Sequence, residues 1–244
     1  MTLKQNKKAT TNMKFPNQAF FDTFKPVPGA ISCSEACAIY YVASQAPKGV
    51  YMDIGSHAGK AAMAAAIGLR SGLLYMVDPI YDLSNREAWA HSDQRAPENL
   101  PWGYVNEEGF YDSVKKRITL LTDGMVTPIL LGDYSAHALN QYDFYGYVFI
   151  DSDQHTTEMV MEEVKLIEDK VLKGGIVAFH DFENQFIGPK TGYEYLISTG
   201  KYERVEIPWE SITAYVGDRE EGNNSWHAQD QKYPCFVGAV RRIK

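Results

Sequence analysis

The segment VYMDIGSHAGKAAMAAAIGL, residues 50–69, constrains the fold of this chain more than any other stretch. An apolar run breaks at Gly55, a second glycine follows at Gly59, and an alanine-rich stretch of helical composition covers Ala58 to Leu69. A buried strand (49–55), a tight turn and a helix read off in that order, and the alternation recurs downstream. GLLYMVD (72–78), TPILLGD (127–133), YGYVFIDSD (145–153) and KGGIVAFHD (173–181) read as further strands, with helices expected over 108–124 and about 157–172. In the last helix Val160, Val164, Ile167 and Val171 recur at steps of four, three and four, which marks one helical face. Strands apolar nearly throughout, alternating with amphipathic helices, predict an α/β fold with a mostly parallel sheet covered by helices on both faces.

The flanks read differently. Residues 1–14 are polar and aperiodic, an arm, and FKPVPGA is a connection. Between them Phe15, Phe20, Phe21 and Phe24 form an aromatic segment that packs either on its own chain or on a twofold partner in a homo-oligomer. Ser32 with Glu35 three residues on is a capping-box signature and opens a first helix over about 33–46. From residue 32 to 244 we read one domain, with an insertion at about 82–105 carrying Trp89, His91 and Trp102. After residue 200, YERVEIPWESITAYV and YPCFVGAVRRI read as two strands joined by a polar loop, a pair that adds an antiparallel strand to the sheet.

Composition narrows the partners. A formal net charge of −7 lacks the basic field that supplies non-specific affinity for nucleic acid or anionic membrane, so a small-molecule partner is expected. Cys33, Cys37 and Cys235 match no zinc or disulfide spacing and read as core thiols in a reducing compartment. The N-terminal residues lack an apolar h-region and no apolar run reaches about 18 residues, so no membrane span and a cytoplasmic location are expected.

In open α/β sheets, ligands sit beyond the carboxyl ends of the strands, where helix N-termini offer N–H groups. Asp53, Gly55 and Gly59 occupy that place after the first strand, Asp78 ends the second and Asp133 the third. Gly55 permits a sharp turn, and Gly59 with Ala58, Ala61 and Ala62 lets the helix start close to the strand. Asp78, 25 residues after Asp53, stands where an acceptor can take both hydroxyls of a ribose. The turn is D-x-G-x-x-x-G and lacks the third glycine of the dinucleotide fingerprint, which argues against a nicotinamide oxidoreductase. Asp151, Asp153, His155, His180 and Asp181 cluster at the ends of strands four and five, whose spacing of about 5 Å lets carboxylates from both share a hard cation such as magnesium. An imidazole there, His155 or His180, is a candidate base.

DIGSHAG, the VD closing strand two, the GD after strand three, FIDSD and LKGGIVAFHD, in that order over about residues 32–182, resemble class I S-adenosylmethionine-dependent methyltransferases with a Rossmann-like fold. Within that class the likeness is to small-molecule O-methyltransferases of the macrocin type and, more distantly, the catechol type. The resemblance implies S-adenosylmethionine as cofactor, with Asp53, Gly55, Ser56, His57 and Gly59 around its methionine part. It further implies Asp78 at the ribose, Pro79 and Ile80 against adenine, and Asp133 near the adenine amino group. It assigns Asp151 and Asp181 to a metal, Mg2+ in such enzymes, and with the candidate bases His155 and His180 from the residues themselves, Asp151, His155 and His180 are the expected catalytic group. Two departures stand out. Phe182 replaces the amide that follows the second acid in catechol-type sites, and the usual D-x-D-H-x-Y-E reads DSDQHTTE. His155 therefore either reaches the site through a longer turn or is a loop residue. Asp153 or Thr156 caps the next helix on a purely structural reading, and His180 is then a core histidine. Competing functions are a cofactor-binding protein without turnover and a nucleic-acid methyltransferase. The absence of a [DN]-P-P-[YFW] segment and the acidic charge count against the latter. Trp89, Trp102, Tyr104 and Trp226 either line an acceptor pocket or staple loops to the body.

Overall fold

The computed structural model describes residues 14–27, 29–82, 109–152, 155–182, 186–220, 223 and 237–244. The expected insertion beyond Asp82, Asp153, Trp226 and Cys235 lie outside the described residues, as does most of the polar loop before the last strand.

Among the described residues seven strands form one sheet in the order β3-β2-β1-β4-β5-β7-β6. They are β1 (Val50–Ile54), β2 (Gly72–Val77), β3 (Val126–Leu131), β4 (Tyr145–Ile150), β5 (Val171–Phe179), β6 (Tyr202–Arg204) and β7 (Gly238–Arg242). The first five pair in parallel. Then β7 runs antiparallel between β5 and β6, as the expected terminal strand pair requires. The chain order reverses between β1 and β4, and at such a switch point the connections leave in opposite directions and open a crevice at the strand ends.

Side-chain alternation splits the strands between two cores. Tyr51, Tyr147, Phe149, Ile176 and Ala178 face the helices α1 (Gln18–Phe24), α2 (Cys33–Ala43) and α3 (Lys60–Leu69). Met52, Ile54, Val148, Ile150 and Val177 face α6 (Thr157–Ile167) and α7 (Ile187–Ser198). Two further helices, α4 (Phe110–Leu121) and α5 (Ser135–Gln141), complete the β2–β3 and β3–β4 crossovers. Cys33 and Cys37 are buried thiols. The aromatic segment packs on its own chain: Phe20, Phe21 and Phe24 are buried, and Phe15 stacks on Tyr215 at 4.6 Å.

The structure corrects several element boundaries. The helix expected to 172 stops at Ile167, a turn follows, and Val171 opens β5. The segment after 200 is a strand for only three residues; beyond Pro208 it becomes helix α8 (Trp209–Val216), burying Ile212 and Val216 one turn apart. Ile, Thr, Tyr and Val are strand formers by propensity, but here packing one helical face decides. Helix α7 has no counterpart in the sequence reading. Its Gly188 and Pro189 argue against a helix by propensity, yet a Cβ at Gly188 would lie 2.2 Å from the carbonyl oxygen of His155. That glycine lets α7 press on the loop that carries His155.

Candidate functional site

The turn after β1 is built from backbone constraints. Gly55 has φ +75, and a Cβ there would stand 2.0 Å from the carbonyl oxygen of Asp151. Gly55 N–H and Ser56 N–H both donate to Val77 O, and Ser56 Oγ–H donates to Asp53 O at 2.7 Å. His57 takes a left-handed φ of +45, and Gly59 takes +79. Asp78 secures the turn from β2: its Oδ2 accepts His57 N–H at 2.8 Å and its Oδ1 accepts Ile80 N–H at 3.0 Å. Pro79 and Ile80 begin a single 3-10 turn. It is held by Tyr81, whose hydroxyl donates to His57 O at 2.5 Å, and by Tyr111, which donates to Ile80 O at 2.7 Å.

Asp53 is fully buried, and neither of its carboxylate oxygens has a hydrogen bond. Burial, with the nearby charges of Asp151 and Asp78, pushes its carboxyl up to about 7. A buried acid beside the glycine turn without a hydrogen bond is a polar group whose burial a cation or donor would compensate. Asp133 makes local bonds: Oδ1 accepts Tyr134 N–H at 2.8 Å, and Oδ2 meets His137 Nδ1 at 2.5 Å and Gln141 Nε2 at 3.3 Å.

Across the switch point, four predicted residues converge. His155 Nε2 lies 3.0 Å from Asp181 Oδ2 and 3.7 Å from Asp151 Oδ1. His180 Nδ1 lies 3.0 Å from Asp151 Oδ1 and 3.7 Å from Asp181 Oδ1. Asp151, His155 and Asp181 each offer one ligand atom, all within 4.8 Å of one another. His155 therefore reaches the site despite the irregular spacing, with a φ of +45, and Asp181 has +53. Non-glycine residues hold such angles only where the surroundings over-determine them; Gly188 of α7 and the Phe186 ring, 4.9 Å away, press on His155. Thr156 is the cap of α6, accepting Met159 N–H at 3.3 Å. Phe182 packs against Gly238 and the Tyr193 ring, so the missing amide is replaced by core.

Burial alone would lower both imidazoles. For His155 the bond to Asp181 and the charges of Asp151 and Asp181 outweigh it, and its pKa rises. For His180 the charges of Asp151, Asp181 and Glu35 raise it well above the ordinary histidine value. Sequence reasoning did not place Glu35 here, nor Glu163, which is buried and accepts from Ser152 Oγ at 2.8 Å beside Asp151. For Glu35 a signal existed: CSEACAIYYVA has almost no polar face, so even its acid is buried.

Residues 52–182 match the sequence family described as "Methyltransferase domain". Among solved structures, the O-methyltransferase from Bacillus cereus, in complex with SAH, aligns at 13% identity over 93% of this chain and 92% of that one, with a TM-score of 0.53. The methyltransferase homolog from Pyrococcus horikoshii aligns at 10% identity over 87% and 67%, with a TM-score of 0.53. The calicheamicin methyltransferase CalS11 aligns at 15% identity over 86% and 77%, with a TM-score of 0.51. At these identities the likeness is one of fold. No curated protein matches the chain by sequence. Among the described residues no helix is long and apolar enough to cross a membrane.

Proposed function

The chain belongs to the methyltransferase-domain family, and from that premise we propose that it methylates a hydroxyl of a small metabolite or sugar, drawing the methyl group from S-adenosylmethionine. One observation carries this reading. The orphaned Asp53 and the Asp78-held turn meet the Asp151, His155 and Asp181 cluster where Gly55 touches the Asp151 carbonyl. A donor site and a proton-handling site therefore abut at one crevice.

The donor would be held by Asp53 at the ammonium, by the N–H groups at the start of α3 at the carboxylate, and by Asp78 at the ribose. Methyl transfer forms an O–C bond as the C–S bond breaks, and the acceptor's proton must leave. Two carboxylates and an imidazole nitrogen form a donor set suited to a divalent cation, Mg2+ among them, that would lower the pKa of the hydroxyl. Asp151, Asp181 and His155 would hold it. Without a cation, His155 is the residue to take the proton: it is 9% exposed, whereas His180 is 1% exposed and enclosed by carboxylates.

Calorimetric titration with S-adenosylmethionine, S-adenosylhomocysteine and NAD, with Asp78→Ala as control, tests the donor reading. Binding of the first two that Asp78→Ala abolishes supports it; absence of that binding refutes it. An acceptor screen with and without EDTA then assigns the trio. Activity lost in chelator and restored by Mg2+ indicates a cation, and undiminished activity indicates proton transfer by His155 and Asp181.

A further inference from the structure

The capping box of α2 extends into the site. Glu35 N–H donates to Ser32 Oγ at 3.1 Å, and Ser32 N–H donates to Glu35 Oε2 at 2.8 Å. That accounts for one oxygen of Glu35. The other, Oε1, is buried with no hydrogen bond, and Glu35 as a whole is 2% exposed. Its ion-pair partner is His180 Nε2, 3.3 Å away, on the ring edge opposite the nitrogen that meets Asp151.

A cap does not require this placement. Capping glutamates normally stand in solvent, and a buried carboxylate is costly unless a charge or donor faces it. His180 is bracketed by carboxylates at both nitrogens, so its rigid ring spans from α2 to the end of β4 as a strut. Partners at the outer nitrogen of an imidazole fix its orientation and tautomer, and such outer contacts govern what the inner ligands hold.

We propose that Glu35 is a positioning residue that fixes the His180 ring and, through it, the carboxylate of Asp151 in the acceptor-side cluster. The proposal rests on the reading of Asp151 as a site acid. It predicts two separable roles for one side chain, capping through Oε2 and positioning through Oε1.

Glu35→Gln separates them. Glutamine serves equally in a capping box, but its amide presents a donor where His180 now meets an acceptor. Ser32→Ala does the reverse, weakening the cap and leaving the Glu35–His180 pair. For both variants and the wild type, three quantities are measured. They are the melting temperature, the His180 ring signals by 15N NMR of histidine-labelled metal-free protein, and Mn2+ affinity by EPR titration.

Glu35→Gln should melt close to the wild type, lose the Nε2–H correlation of His180 and bind Mn2+ tenfold to a hundredfold more weakly. Ser32→Ala should melt lower with both other readouts unchanged. Retention of the Nε2–H correlation in Glu35→Gln overturns the proposal, and so does wild-type Mn2+ affinity in that variant. Equal weakening of Mn2+ by Ser32→Ala also overturns it, because the effect would then belong to the helix end. If the wild type binds no Mn2+ while Glu35→Gln still loses the correlation, positioning of His180 stands and the cation reading alone falls.

Discussion

Replacing Asp53 with asparagine should stabilise the fold and weaken the donor site together, and the stabilisation should depend on pH. The carboxyl is pushed from an ordinary value near 3.8 up to about 7 by burial, which outweighs the opposing pull of Ser56, with the charges of Asp151 and Asp78 adding to the rise. Its folded value lies above its unfolded one, so between pH 4 and 7 the unfolded chain ionises while the folded chain retains the proton. Stability therefore falls as pH rises through that window and levels off above it. About three pH units at 1.36 kcal/mol each make this cost about 4 kcal/mol at pH 8, an upper figure because the structure relaxes around a buried charge. Asparagine keeps the shape and removes the ionisation. For a chain of this length 1 kcal/mol shifts the melting temperature by about 2–4 °C, so Asp53→Asn should melt roughly 10 °C higher at pH 8. Near pH 4.5 the two proteins should melt within a few degrees of each other. S-adenosylhomocysteine affinity at pH 8 should fall, since the ammonium loses its carboxylate. Calorimetric melts at the two pH values, with and without ligand, measure all of this. A melting difference that is the same at both pH values, or an Asp53→Asn protein less stable at pH 8, would refute the claim that this acid is an unpaired buried charge.

Other substitutions probe the frame around it. Gly55→Ala places a Cβ 2.0 Å from the Asp151 carbonyl at a φ of +75. It should cost well over the ~1–2 kcal/mol of the backbone angle alone and abolish donor binding, read by thermal melt and calorimetry. Asp78→Ala strands the His57 and Ile80 N–H groups; a loss of about 1–2 kcal/mol in denaturant titration should accompany a loss of donor affinity far larger than that. Phe21 of α1, fully buried with its ring toward Tyr215 of α8, should cost about 3–5 kcal/mol as alanine, and an unchanged melting temperature would mean that α1 does not dock on its own chain.

The parallel strands and the first turn were legible because both faces of the sheet are covered, so β1, β2 and β4 read as continuous apolar runs ended by glycine or aspartate. Helices α7 and α8 were not, for opposite reasons. Gly188, Pro189 and Gly192 hide a helix whose glycines serve close packing, and ITAYV disguises one whose residues prefer strands. The cluster of Asp151, His155, His180 and Asp181 was legible as a set of strand-end residues. That His155 closes it was not, because the left-handed angle at that residue and the pressure from α7 are tertiary. Glu35 lies 145 positions before His180, and only the packing of α2 beside β5 joins them.

The contact between Gly55 and Asp151 also bears on how such a protein diversifies. Asp151 N–H donates to Ile54 O at 3.1 Å, so the turn on one side and the acid on the other are two ends of a single short ruler of backbone. The spacing between the turn after β1 and the Asp151 end of β4 is thus set without any side chain that varies in size. Under the proposed function, selection for a new acceptor can alter the surrounding segments while that gauge stays constant. A designer seeking altered specificity has the same freedom, and the same two residues to leave alone.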